Sequence, residues 1–158
     1  HVSEDLCERL SHFPFPSPVL ETLVSCGHLG RKEKKGFYLY GKKGGVAPNP
    51  LARRLRRPSP PRLQNAVLAD QMSLVMVNEA ARVLEEGVVA SPKDIDFGMI
   101  MGTGWAPFRG GPMRYLDSEG ALNIFNRMKE LEKKSKYFKP CEMLLEYSNT
   151  DEKFYGGK

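Results

Sequence analysis

The sequence predicts an all-α protein built as a helical bundle. Three observations carry this. Apolar residues recur at helical spacing through most of the chain after residue 62. Proline and glycine stand at the starts and ends of those periodic stretches. The clearest extended-looking run, Gly36-Phe37-Tyr38-Leu39-Tyr40, is too short to form a sheet by itself.

The elements follow in order. Residues 4–27 read as two short helical pieces. Leu6, Leu10 and Phe13 end the first, and Pro14, Pro16 and Pro18 stop it. Val19, Leu20, Leu23 and Val24 form one apolar face of the second, with Gly27 as its left-handed end. His28–Lys35 is a basic turn, and residues 36–40 are strand-like or simply extended. Residues 41–62 combine Gly41, Gly44, Gly45, Pro48, Pro50, Pro58, Pro60 and Pro61 with five arginines, a composition that builds no core and reads as a linker.

Leu63–Glu86 is the strongest helix. Val67, Leu74, Ala81 and Val88 recur every seven residues, Val77 and Leu84 fill the intervening turns, and Met76, Ala80 and Val83 widen the stripe. Gly87 ends it. Ser91-Pro92-Lys93-Asp94 opens the next helix, with Ser91 as cap, and that helix runs to about Met101. Gly102, Gly104, Gly110 and Gly111 bracket Trp105, Pro107 and Phe108 in a loop expected to fold back on the core. Pro112 starts a piece carrying Met113, Tyr115 and Leu116. Ala121–Lys136 is helical with Leu122, Phe125, Met128 and Leu131 inward, and Pro140 opens a last helix containing Met143, Leu144, Leu145 and Tyr147. The end is a tail that Phe154 and Tyr155 could pin down.

Length and composition limit the function classes. The 158 residues suffice for one ordinary domain, or a small domain plus a partial one. A content of 41% hydrophobic and 27% charged residues fits a globular protein. No apolar run reaches the roughly 18 residues of a membrane span, and no signal-peptide pattern opens the chain. Its start, His1-Val2-Ser3-Glu4, lacks a methionine and suggests an internal fragment of a longer protein. Cys7, Cys26 and Cys141 are odd in number and widely spaced, so they read as reduced packing residues, which points to a reducing compartment. The net charge of +5 is concentrated in Arg53, Arg54, Arg56 and Arg57, a localised basic loop.

No catalytic, cofactor-binding or metal-binding residue is assigned. A histidine base needs a partner that orients it, and neither His1, His12 nor His28 has a carboxylate partner near it in sequence. The pairs Glu85/Glu86 and Asp94/Asp96 fit helix-end and capping roles. Cys-x2-Cys and His-x3-His metal spacings are absent. Gly102-Thr103-Gly104 fails the dinucleotide fingerprint, because Pro107 stands where the third glycine belongs and a helix precedes the loop. Arg109 and Arg114 fit surface ion pairing better than anion binding. Asn78 and Glu79 interrupt an apolar helix, and Asn78 reads as hydrogen-bonding a helix end or loop. The arginine cluster leaves open a helical nucleic-acid-binding module or a protein-interaction module, but no aromatic is interleaved with it as in single-strand platforms.

Two stretches carry a resemblance. Gly27-His28-Leu29-Gly30-Arg31-Lys32 with Gly36-Phe37-Tyr38-Leu39-Tyr40 resembles a segment of the 3-hydroxyacyl-CoA dehydrogenases. Val77-Asn78-Glu79-Ala80, Glu85-Glu86-Gly87, Pro92, Asp94-Ile95-Asp96, Gly102-Thr103-Gly104, Pro107 and Gly110-Gly111-Pro112 resemble the repeated C-terminal helical domain of the multifunctional fatty-acid β-oxidation protein. Pro140-Cys141, Leu144-Leu145 and Phe154-Tyr155 extend the match, which covers roughly residues 19–40 and 63–155.

The resemblance implies a fold like the 6-phosphogluconate dehydrogenase C-terminal domain. It makes residues 1–40 the tail of a first helical repeat, 41–62 a linker and 63–158 a complete second repeat. It implies a parent oxidoreductase of fatty acid metabolism that uses NAD and acyl-CoA, located in a bacterial cytoplasm or an organelle matrix. The NAD domain and the catalytic His and Glu of that family have no counterpart in this sequence. The chain is then expected to bind no cofactor itself and to be inactive alone. Its expected partners are the parent's NAD-binding domain and first repeat, or a second copy in a homodimer.

Overall fold

A computed structural model describes residues 2–10, 17–42, 44–55, 63–150 and 152–156. It is mostly helical, with one two-stranded sheet, and divides into two compact units, His1–Arg62 and Leu63–Lys158.

The first unit holds α1 (Val2–Arg9), α2 (Pro18–Ser25), β1 (Tyr38–Tyr40), β2 (Val46–Pro48) and α3 (Pro50–Arg54). Pro18 opens α2, where a missing N–H costs nothing. Gly27 closes it at φ +70°, with Gly27 N–H donating to the Val24 carbonyl and His28 N–H to that of Leu23. Phe13 and the prolines at 14 and 16 lie outside the described residues. Gly30 and Lys35 exchange main-chain hydrogen bonds across the basic turn. A Cβ on Gly36 would fall 2.8 Å from the Gly30 Cα, so two backbones meet where no side chain fits.

Residues 38–40 do not remain alone. They pair antiparallel with 46–48, Leu39 opposite Ala47. The described part of 41–62, read from composition as a linker that builds no core, carries β2 and α3. Ladder hydrogen bonds and a local cap require no apolar core, and Val46, Ala47 and Pro48 are all exposed. Composition therefore does not register them.

The second unit contains α4 (Asn65–Glu85), α5 (Pro92–Thr103), α6 (Pro112–Glu119), α7 (Ala121–Glu132) and α8 (Glu142–Ser148), with single 3₁₀ turns at Pro107–Arg109 and Lys136–Phe138. Ser91 accepts from the Asp94 N–H, and its hydroxyl donates to the Asp94 carboxylate. Gly87, at φ +67°, ends α4 with the same paired hydrogen bonds seen after α2. The core gathers Leu74, Val77 and Ala81 of α4, Leu116 of α6, Ile124 and Met128 of α7 and Leu144 of α8 around Trp105 and Tyr115, whose rings meet edge to face. Ala80, Ile95 and Met113 form a smaller cluster.

Three apolar expectations fail on orientation. In the seven-residue line of α4, Leu74 and Ala81 are buried while Val67 is 41% and Val88 68% exposed. The neighbouring helices cover only the middle and end of α4. In α7, Ile124 and Met128, four apart on one face, enter the core, and Leu122 is 56% exposed. In the glycine-bracketed loop Trp105 folds inward, whereas Phe108 is 87% exposed.

Candidate functional site

Asp96, Asn78 and Glu85, which belong to the resemblance, and Asp117, which the sequence reading passed over, hold three joints between elements of the second unit. Asp96, buried on α5, accepts hydrogen bonds from the Met113 and Arg114 N–H groups at the start of α6 (2.8 and 3.1 Å) and from the Tyr155 hydroxyl (2.7 Å). Those two N–H groups begin a helix and have no partner within it, so a carboxylate there also meets the positive helix end. Gly111, at φ +97°, permits the approach: a Cβ there would lie 2.3 Å from the Asp96 Cγ. Burial, the Asp96 hydrogen bond and the Asp96 charge all push ionisation of Tyr155 upward.

Asn78 forms the second joint. It is 4% exposed. Its side-chain amide donates to the Lys139 carbonyl (3.0 Å), and its carbonyl accepts from the Cys141 N–H (2.9 Å). Two turns further along α4, Glu85 accepts from the Met143 N–H at 2.8 Å. Two residues of α4 thus cap the start of α8. Asp117 makes the third joint, taking the Phe154 and Tyr155 N–H groups at 2.9 and 2.8 Å, while Phe154 stacks on Tyr147. This holds residues 154 and 155 against the bundle.

The remaining candidates occupy supporting positions. His28 faces Asn49, its Nδ1 2.7 Å from the amide nitrogen. His1 and His12 lie outside the described residues. Asn49, which the sequence reading passed over, is 2% exposed. It caps α3 by accepting from the Leu51 N–H and donates to the Gly36 carbonyl. Only its place just before Pro50 hinted at the cap. Glu79 pairs with Arg82 at 3.5 Å, and Glu86 is exposed at the end of α4. Thr103 donates back to the Met99 carbonyl, and Gly104 ends α5 in the left-handed region. Arg53 and Arg54 are exposed in the last turn of α3, and Arg56 and Arg57 lie outside the described residues.

The ion-pair expectation for Arg109 and Arg114 is corrected. Among the described residues neither pairs with a carboxylate. Arg109 lies 5.1 Å from the Tyr115 ring centroid and Arg114 4.1 Å from that of Tyr155. Among the described residues no group of three or more His, Cys, Asp and Glu could hold a metal, and no helix is long and apolar enough to cross a membrane.

Burial pushes the Cys141 thiol up to about 11; the Leu144 N–H opposes this and Glu85 adds to it. The unfolded chain's thiol ionises near pH 8.5. The associated stability is thus complete below that pH and is lost as pH rises toward about 11. Denaturation at stepped pH should show a decline of up to about 3 kcal/mol over that window. A Cys141→Ser variant with an equally steep decline would contradict the assignment.

No family model matches the sequence. The fatty acid oxidation complex alpha subunit of Vibrio vulnificus is 36% identical over 138 residues, 87% of this chain and 20% of that protein. The Shewanella loihica protein of the same name is 37% identical over 160 residues, 89% of this chain and 20% of its own length. The chain thus spans about a fifth of the length of these curated relatives. The crystal structure of the dehydrogenase part of multifunctional enzyme 1 from C. elegans superposes with a TM-score of 0.58 at 28% identity, over 92% of this chain and 35% of that one. The resemblance read from the sequence therefore stands: over most of its length the chain is similar to one stretch of the fatty acid oxidation complex alpha subunits and, in fold, to the dehydrogenase part of a multifunctional enzyme.

Proposed function

We propose that this chain is the C-terminal helical part of an NAD-dependent 3-hydroxyacyl-CoA dehydrogenase of fatty-acid β-oxidation, acting by domain pairing and support of the acyl-CoA cleft. In this reading residues 1–40 end a first repeat, 41–62 connect, and 63–158 are a second repeat. An NAD-binding domain elsewhere in the parent supplies the cofactor and the catalytic His and Glu. The joints described above suit a scaffold, since each carboxylate and amide in them is used to hold main chain rather than directed at a ligand.

The observation that carries the reading is an apolar face within the second unit. Leu63, Val67, Leu68 and Met72, at or near the start of α4, are between 41% and 57% exposed. Further along α4 a groove of about 460 Å³ is lined mostly by apolar side chains, among them Val75, Met76, Val83 and Met99, with Glu79 and Asp94 also on it. Side chains of this size left in water in one region favour a protein surface as cover.

The chain by itself is expected to self-associate through this face. Sedimentation velocity across a concentration series should give a rising weight-average mass, and Val67→Glu with Met72→Glu should return it to the monomer. A chain that stays monomeric at every concentration counts against the pairing role. With NADH and acetoacetyl-CoA the purified chain should give no turnover, and turnover above a buffer blank would refute the scaffold assignment.

A further inference from the structure

Beside the joints made by Asp96 and Asp117 lies an open cleft of the second unit. It has a volume of about 780 Å³, and its lining includes Phe108, Arg109, Arg114 and Lys153 together with the carboxylates Asp117 and Glu119. We propose that this cleft is a binding site for a nucleoside diphosphate, its phosphates held by Arg109, Arg114 and Lys153 and its base stacked on Phe108.

The charge balance supports an anion. Both Asp117 oxygens already accept main-chain N–H groups. Glu119 is ion-paired with Arg127 at 3.3 Å. Among the described residues no ion pair engages Arg109, Arg114 or Lys153, so three cations share one concave surface with two carboxylates, an excess of positive charge.

The geometry supports a phosphate in particular. Arg114 lies over the Tyr155 ring at 4.1 Å and Arg109 over that of Tyr115 at 5.1 Å. A guanidinium held against a ring still presents N–H donors, of which phosphate oxygens can take two at once. Stacking also limits the rotamers, so less freedom is lost on binding. Gly110 helps Arg114 into place: at φ +73° it has no Cβ, and one would stand 2.9 Å from the Arg114 Cδ. Tyr155 is itself fixed by its hydrogen bond to Asp96 and by its main-chain bond to Asp117.

The aromatic half rests on Phe108. It is 87% exposed, which is unusual for a phenylalanine, and stands at the cleft rim beside the cations. The Arg109 guanidinium lies 5.9 Å from its ring centroid, and the exposed remainder of the ring offers a planar apolar surface for a base, as single-stranded nucleic-acid sites use one base at a time. A cleft of this volume falls within the range of small-ligand pockets. The site does not depend on the dehydrogenase reading.

Isothermal titration of the full 158-residue chain with ADP and with inorganic pyrophosphate tests it. ADP is expected to bind more tightly than pyrophosphate, and more weakly as salt is raised. Arg109→Gln with Arg114→Gln should weaken both ligands by about tenfold or more. Phe108→Ala should weaken ADP alone. All three side chains are exposed, and an unchanged circular dichroism spectrum and melting curve would verify that each variant folds. Absence of ADP binding, or binding that the double arginine variant leaves intact, would overturn the site. Equal affinity for ADP and pyrophosphate would overturn the nucleoside assignment.

Discussion

Asp96→Ala is expected to destabilise the second unit by about 2–4 kcal/mol, as when a buried hydrogen-bonding group is removed. Asp96 is 4% exposed and accepts from two α6 N–H groups and the Tyr155 hydroxyl. Alanine leaves the buried Met113 N–H without a partner, at about 1–3 kcal/mol, and the part-buried Arg114 N–H and Tyr155 hydroxyl lose theirs at a smaller cost. Asp96→Asn keeps the volume and one acceptor oxygen, so its loss should be smaller. Gly111→Ala should approach the alanine variant from the opposite side. Its Cβ would intrude to 2.3 Å of the carboxylate carbon, at a backbone φ of +97° that non-glycine residues rarely adopt. Urea unfolding followed by circular dichroism measures all three. A midpoint for Asp96→Ala within error of the parent chain would show that the joint does not hold α6.

Asn78→Leu is the second large effect, at about 2–4 kcal/mol. Leucine keeps asparagine's branched skeleton but carries bulkier methyl groups, so the loss combines the missing hydrogen bonds with some overpacking. The Lys139 carbonyl and the Cys141 N–H would lose their partner. Because this amide and Glu85 together anchor the start of α8, its removal should loosen that end locally before the unit unfolds. Cys141 supplies a direct readout. Its thiol is 2% exposed with its ionisation pushed up to about 11, so a disulfide reagent at neutral pH should modify the exposed Cys26 first and Cys141 last. In Asn78→Leu the Cys141 reaction should accelerate while Cys26 keeps its rate. Unchanged Cys141 kinetics would mean that α8 is held without Asn78.

The two variants separate support from chemistry. Asp96, Asn78, Glu85 and Asp117 are polar residues in positions that invite a catalytic reading. In each case their oxygens meet main-chain N–H groups at the start of an element or in the terminal segment. A chain of this kind can share motifs with dehydrogenases and use them to hold helices together. For Asn78 the sequence already suggested hydrogen bonding of a helix end or loop. For Asp96 the expected capping role is met across space: it caps α6, seventeen residues on, rather than its own helix.

Helix limits were legible from the sequence alone because they are set within a few residues. Ser91 and Asp94 close a ring three residues apart, Pro18, Pro92 and Pro112 tolerate the first turn, and Gly27 and Gly87 take the left-handed ends. The all-helical class follows from the same local code. What required the tertiary structure was which face turns inward and which distant group each polar side chain meets. Periodicity names a stripe but not how far its neighbours extend along it, so Val67 and Val88 were expected inside and lie outside. Likewise Leu122 and Ile124 are both apolar, and only the packing of α7 against α6 and α8 selects Ile124. Asn78 reaches Cys141 across 63 residues, and Tyr155 reaches Asp96 across 59. Such pairings depend on the path of the whole chain, which no local preference encodes.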